Sequence, residues 1–317
     1  MALNFQVALT LSLSLTLCFL TLSLGDKRKI AVYWGQEAED GTLASTCESR
    51  NYDIVLLSFL DTFGCSRSPN LNLDVHCGVK TGTPCTRLQT EIERCKRRDV
   101  KVLLALGGPT PSYSLCSASD AKVVATYLYS NFLSAQNGPL GFVSLDGIHF
   151  DIQFGSKSYW EDLVQELNHI KERDTGSSFI LSAAPSCFLP DPFLDEAIKT
   201  GNFDDIFIGF YNTPVCQYSA GDASSLLDTW IANIDYNASL FMELPASPDA
   251  TSNVGYIEPA NLVDQIIKFV KESSSFAGVA LWDKSRDVKS LYSNQIKSLL
   301  SYPQTNWHFL QSLLPME

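Results

Sequence analysis

The chain has 317 residues, 45% of them hydrophobic and 18% charged, enough apolar material for one large core or two ordinary ones and too much for a disordered polymer. Its 23 Lys and Arg stand against 35 Asp and Glu, and this net charge of −12 makes the chain a poor candidate for binding nucleic acid or anionic membrane surfaces.

In chain order, the first feature is an uncharged run from Val7 to Leu24 that ends abruptly at Gly25-Asp26-Lys27-Arg28. It reads as a secretory signal over residues 1–25, cleaved near Ser23-Leu24-Gly25. The run is also long enough to span a bilayer, so a signal anchor is the rival reading. No later run approaches that length, and the mature chain is expected to have no membrane contact. Of nine cysteines, Cys18 lies in the leader. The even remainder, Cys47, Cys65, Cys77, Cys85, Cys95, Cys116, Cys187 and Cys216, favours disulfides in an exported protein. The histidines are His76, His149, His169 and His308, and no zinc spacing links them to cysteines. Neither a metal nor a cofactor is expected. Asn237-Ala238-Ser239 offers a glycosylation site at Asn237.

Strand-like apolar runs then recur at Ile30 to Trp34, Tyr52 to Leu60, Val100 to Leu106, Ser144 to Ile152, Phe179 to Ala184, Asp205 to Tyr211, Ser239 to Leu244 and Phe276 to Trp282. Amphipathic windows fall between or after them: Arg87 to Arg98, Ala118 to Ser134, Tyr159 to Arg173, Ser224 to Ile234, Pro259 to Ser273 and Val288 to Leu300. Eight strands alternating with helices predict an α/β fold, a single-domain (β/α)₈ TIM barrel over residues 26–302 with a tail at 303–317. An open doubly wound sheet is the alternative, but no GxGxxG follows the first strand.

Barrel active sites lie at the C-terminal ends of the strands. Those ends offer Tyr33 and Trp34, Phe59 and Asp61, Gly107 and Gly108, then His149, Asp151 and Gln153. Later ends offer Ala183, Ala184 and Pro185, then Tyr211 and Asn212, Glu243, and Trp282 and Asp283. The fourth stretch, LDGIHFDIQFG, alternates: Ile148, Phe150 and Ile152 face one way, His149, Asp151 and Gln153 the other. Three polar side chains in a row inside a barrel are costly unless they are paired or used.

DGIHFDIQ resembles the DGxDxDxE signature of glycoside hydrolase family 18. YWGQ at Tyr33 to Gln36, SFL near Phe59, LALGG at Leu104 to Gly108, SAAP at Ser182 to Pro185, GFYN at Gly209 to Asn212 and ALWD at Ala280 to Asp283 resemble the plant class III chitinases in the same order. That family hydrolyses chitin with help from the substrate's own N-acetyl carbonyl, while one carboxylate polarises the acetamido group and a second carboxyl protonates the leaving oxygen. The resemblance assigns the polarising role to Asp151 and an N-acetyl contact to Tyr211, both retained. Gln153 stands where the acid Glu is expected, and an amide cannot deliver a proton. His149 stands where a further Asp is expected. At four residues below Gln153, roughly 13 Å along a strand, it cannot replace the acid; it is expected to be buried and bonded to Asp151 or a tyrosine. Tyr33, Phe59, Gly107, Gly108 and Trp282 are implied to line the sugar cleft. Gly209 stands where the family usually carries Gln, and Pro109 and Pro111 replace a glycine-rich mouth.

These substitutions predict a secreted or vacuolar chitinase-like protein without catalysis, a monomer that binds a chitooligosaccharide or another N-acetylglucosamine-containing glycan or serves in seed storage or defence. The alternatives are an active class III endochitinase cutting β-1,4 linkages and, by analogy of fold alone, a xylanase inhibitor. The resemblance also implies bridges Cys47–Cys95, Cys77–Cys85 and Cys187–Cys216. Cys65 and Cys116 are left over after neighbouring strands, and a bridge between them is expected. Non-proline cis peptides are implied at Ser58–Phe59 and Trp282–Asp283.

Overall fold

A computed structural model describes residues 28–300, apart from 74, 79–80, 175–177, 213–229, 231–237, 252–254 and 268–272. The signal, the tail, Asn237 and Cys216 lie outside the described residues, as does most of the window Ser224 to Ile234.

The barrel strands are β1 Lys29–Trp34, β2 Ile54–Thr62, β3 Lys101–Gly108, β4 Gly147–Ile152, β5 Ile180–Ala183, β6 Asp205–Gly209, β7 Ser239–Pro245 and β8 Phe276–Trp282. Each pairs in parallel with its neighbours in sequence, and β1 pairs with both β2 and β8, which closes the sheet. The expected (β/α)₈ barrel is therefore the fold. The helices include α1 Leu43–Glu48, α2 Leu88–Lys96, α3 Ala118–Leu128, α4 Trp160–Arg173 and α5 Asp195–Lys199, then α6 Pro259–Asn261, α7 Lys284–Ser290 and α8 Tyr292–Leu300.

Period-2 alternation divides the apolar residues into two cores. Ala31, Tyr33, Leu56, Phe59, Ala105, Phe207, Phe241 and Ala280 fill the barrel, with small residues making room for the stacked Phe207 and Phe241 rings at 4.5 Å. Val32, Val55, Leu104, Ile148, Phe150, Leu163 and Leu167 belong to the larger core between sheet and helices. At the N-terminal end of the barrel an aspartate just before a strand takes the N–H of a neighbouring strand. Asp53 accepts from Ile30, Asp146 from Val102 and Asp204 from Leu181, at 3.0, 2.9 and 2.8 Å. These bonds satisfy amides that the parallel ladder leaves open.

The window Val288 to Leu300 forms two helices instead of one. Leu291 turns left-handed at φ 56°, and the buried Asp287 carboxylate takes the Ser293 amide at 2.7 Å together with the Ser293 and Tyr52 hydroxyls. This one side chain pins the start of α8 to the end of α7.

Bridges join Cys47 to Cys95, Cys65 to Cys116 and Cys77 to Cys85, with Cα separations of 5.2, 5.2 and 4.9 Å. Asp120, in the first turn of α3, accepts from the amides of both Cys65 and Cys116 at 2.7 and 3.0 Å, so the second bridge is also tied to a helix. Cis peptides occur at Ser58–Phe59, Trp282–Asp283 and Leu189–Pro190.

Gly107 has φ +98°, and a Cβ there would lie 2.3 Å from the backbone oxygen of Asp151. Gly107→Ala should therefore destabilise the protein by at least about 2 kcal/mol, read from denaturant unfolding; a loss below about 0.5 kcal/mol would show that the β3–β4 approach is slack.

Candidate active site

The alternation in β4 does what the sequence pattern implies. Ile148, Phe150 and Ile152 enter the outer core, and His149 and Asp151 point into the barrel. Their register partners on β3 are Ala105 and Gly107, small residues that leave space beside each polar group.

His149 is fully buried. Its Nδ1 lies 2.8 Å from Ser182 Oγ, its Nε2 lies 2.9 Å from the Tyr33 hydroxyl, and its edge meets the Phe207 ring at 4.9 Å. Of the two partners expected for this imidazole, the tyrosine is the one found. Burial pushes its pKa down to about 3, so the ring is neutral and carries one N–H. The Tyr33 hydroxyl donates to Glu243 Oε2 at 3.1 Å. The consistent tautomer has Nε2–H donating to Tyr33 while Nδ1 accepts from Ser182.

Asp151 is held from above. Gln153 Nε2 donates to Asp151 Oδ1 at 2.9 Å. Burial raises the Asp151 carboxyl to about 6, and the amide's hydrogen bond pulls it back. The backbone of Gln153 is fixed by Tyr113, whose hydroxyl oxygen accepts from the amides of Gln153 and Phe154 at 2.9 and 3.1 Å and donates to Gly108 O at 3.0 Å. Tyr113 in turn stacks on Phe63 at 5.7 Å, each ring lying just before one cysteine of the Cys65–Cys116 bridge.

Glu243 is the functional group that the sequence showed but did not assign. It sits on β7 in register with Gly209, which has no side chain to occupy the same space. The hydroxyls of Tyr33 and Tyr211 donate to its two oxygens. Burial, and then the negative charge of Asp151, push its carboxyl up to about 8, against the pull of the two tyrosines. A lone acid within the apolar run LFMEL was the available signal.

Trp282 meets Tyr33 edge-on at 5.1 Å and stacks on Phe59 at 6.0 Å. Gly108, at φ +80°, lets Phe59 approach; a Cβ there would be 2.7 Å from the ring. Pro109 and Pro111 are exposed at the rim. Two strand-end residues play no part in the cleft. Trp34 faces the outer core and stacks on His76 at 4.2 Å. Asp61 is spent on the side chains of Asn70, Asn72 and Thr62, at 2.9, 2.8 and 2.9 Å. Among the described residues, Cys65, Cys116 and Asp120 are the sole His/Cys/Asp/Glu group close enough for a metal, and both sulfurs are tied in a disulfide.

A closed parallel barrel whose strand ends gather two carboxyls, an amide, two tyrosines and an aromatic wall has the architecture of a glycoside hydrolase-type protein. The chain belongs to the glycosyl hydrolases family 18, whose sequence profile matches residues 29–255. It is similar to concanavalin B of Canavalia ensiformis, 47% identical over 88% of each chain, and a solved structure of concanavalin B superposes with a TM-score of 0.82, 46% identity and coverage of 87% of this chain and 99% of that one. It is also similar to an acidic endochitinase of Vitis vinifera, 44% identical over 85% of this chain and 90% of the relative. The xylanase and alpha-amylase inhibitor protein XAIP-II of Scadoxus multiflorus superposes with a TM-score of 0.77 and 38% identity, over 86% of this chain and 98% of that one.

Proposed function

We propose that this chain is a chitinase-like protein that binds N-acetylglucosamine-containing glycans and does not hydrolyse them. The observation that carries this reading is the contact between Gln153 and Asp151. The side chain at the acid's position is an amide, and one of its hydrogens is spent on the carboxylate that would polarise the acetamido group. Asp151, Tyr211 and the Trp282 wall remain to hold a sugar ring. The reading extends to a monomer exported through the secretory pathway, which accords with three bridges needing an oxidising compartment.

Titration calorimetry with chitotetraose beside a hydrolysis assay tests it. Saturable binding is expected, with turnover about 10²–10⁴-fold below that of an acid-bearing chitinase. Enzyme-like turnover would restore the endochitinase reading. Neither binding nor turnover would leave inhibition of other glycosidases as the reading to pursue.

A further inference from the structure

Glu243 holds two tyrosine hydroxyls and belongs to no part of the family's acid–base pattern as the sequence displays it. The groups that face it are Tyr33 from β1, Asp151 from β4 and Tyr211 beyond β6, with His149 behind Tyr33 and Asp283 acting on Tyr211 from a distance. None of these is a cation. We propose that Glu243 is a positioning residue of the glycan site, holding the Tyr211 hydroxyl and deciding whether that hydroxyl offers its hydrogen to the carbonyl of a bound acetamido group. The proposal rests on the glycan-binding reading above and names the regulation of that same site.

The argument is one of hydrogen counting. An ionised carboxylate only accepts, so it draws the hydrogens of both tyrosines to itself. Tyr211 can then only accept from a ligand, and an acetamido carbonyl finds no donor there. With a proton on Glu243 the count changes, because the acid must donate to one hydroxyl oxygen. Tyr33 is 1% exposed, and with His149 Nε2–H donating to its oxygen, its hydrogen goes to Glu243 Oε2. Tyr211 is half-buried at the cleft. The acid therefore donates to Tyr211, and the Tyr211 hydrogen is released toward the ligand. Burial, and then the negative charge of Asp151, push the carboxyl that makes this exchange up to about 8, above the Asp151 carboxyl.

The test is calorimetric titration with chitotetraose between pH 6 and pH 9.5. It uses the unmutated protein, Glu243→Gln and Glu243→Leu, each with and without Tyr211→Phe, with circular dichroism to confirm folding. The unmutated protein should lose about tenfold in affinity as pH rises through 8, the worth of one hydrogen bond. Glu243→Gln keeps one donor and one acceptor for the two hydroxyls, so it should bind as the unmutated protein does at pH 6 and hold that affinity to pH 9.5. At pH 6, Tyr211→Phe should cost about tenfold with Glu or Gln at 243 and clearly less with Leu, a coupling that a purely structural role would not produce. Binding that keeps its step near pH 8 in Glu243→Gln, or a Tyr211→Phe loss that is equal in all backgrounds, overturns the proposal while glycan binding stands. If no form binds chitotetraose at any pH, the glycan reading fails and this proposal fails with it.

Discussion

Gln153→Glu should raise chitooligosaccharide hydrolysis about 10²-fold or more over the unmutated protein, because a positioned general acid is worth about 10²–10⁴-fold. The change is nearly isosteric, and the backbone at 153 is already fixed by the Tyr113 hydroxyl. The amide now bonded to Asp151 at 2.9 Å would become a carboxyl sharing that contact. Two carboxyls that close cannot both ionise easily, so one proton is retained between them at neutral pH, as a general acid requires. The measurement is release of reducing ends from chitotetraose. A folded variant that binds the oligosaccharide and still fails to cleave it would place the block elsewhere.

The structure also says what His149→Asp would do when added. It removes the imidazole from between Tyr33 and Ser182 and places a fourth carboxyl beside those of Asp151, Glu243 and the Gln153→Glu side chain, with the Glu243 carboxyl already standing at about 8. The pair Gln153→Glu with His149→Asp should therefore fall short of the same pair combined with Glu243→Gln, which takes the extra charge away. Residues that act on one another's protonation are not additive.

Much of this site was legible because buried parallel strands read as unbroken apolar runs, so that polar intrusions stand out. His149 and Asp151 were visible as one face of β4, with Gln153 just past its end, for that reason. The same rule, applied to β1, separates Tyr33 from Trp34: adjacent strand residues point to opposite faces, so once Tyr33 lines the barrel, Trp34 belongs to the outer core. Glu243 was legible as a strand-end acid, but its role was not, because its partners come from 210 residues upstream and 32 upstream. No local spacing encodes a contact across a closed barrel. The break at Leu291 was hidden in a similar way. The apolar period runs on through it, and the cause is the pull of buried Asp287 on Ser293 and Tyr52.

Between pH 6.5 and pH 8 the unmutated protein should lose up to about 2 kcal/mol of stability, and Glu243→Gln should lose much less. The direction follows from which state holds the proton. Burial lifts the Glu243 carboxyl from 4.5 to about 8, and the Asp151 carboxyl from 3.8 to about 6. Between each pair of values the native state binds a proton that the unfolded chain has released, so stability falls as pH rises. His149 runs the other way. Its native value is about 3 against an ordinary 6.5, so below 6.5 the unfolded chain takes up a proton that the buried ring refuses, and stability falls on acidification. From about 4.5 to 6.5 the histidine offsets one of the two carboxyls. Above 6.5, Glu243 is the one of the three that still titrates, which is why that window isolates it. The net charge of −12 weakens the fold at alkaline pH in both proteins alike, so the comparison with Glu243→Gln removes that contribution. Thermal unfolding at the two pH values reads the difference as a melting temperature lowered by several degrees in the unmutated protein relative to the variant. Equal decreases in the two proteins would mean that Glu243 is ionised throughout, and the hydrogen-bond directions drawn around Tyr33 and Tyr211 would then be those of a carboxylate at every pH tested.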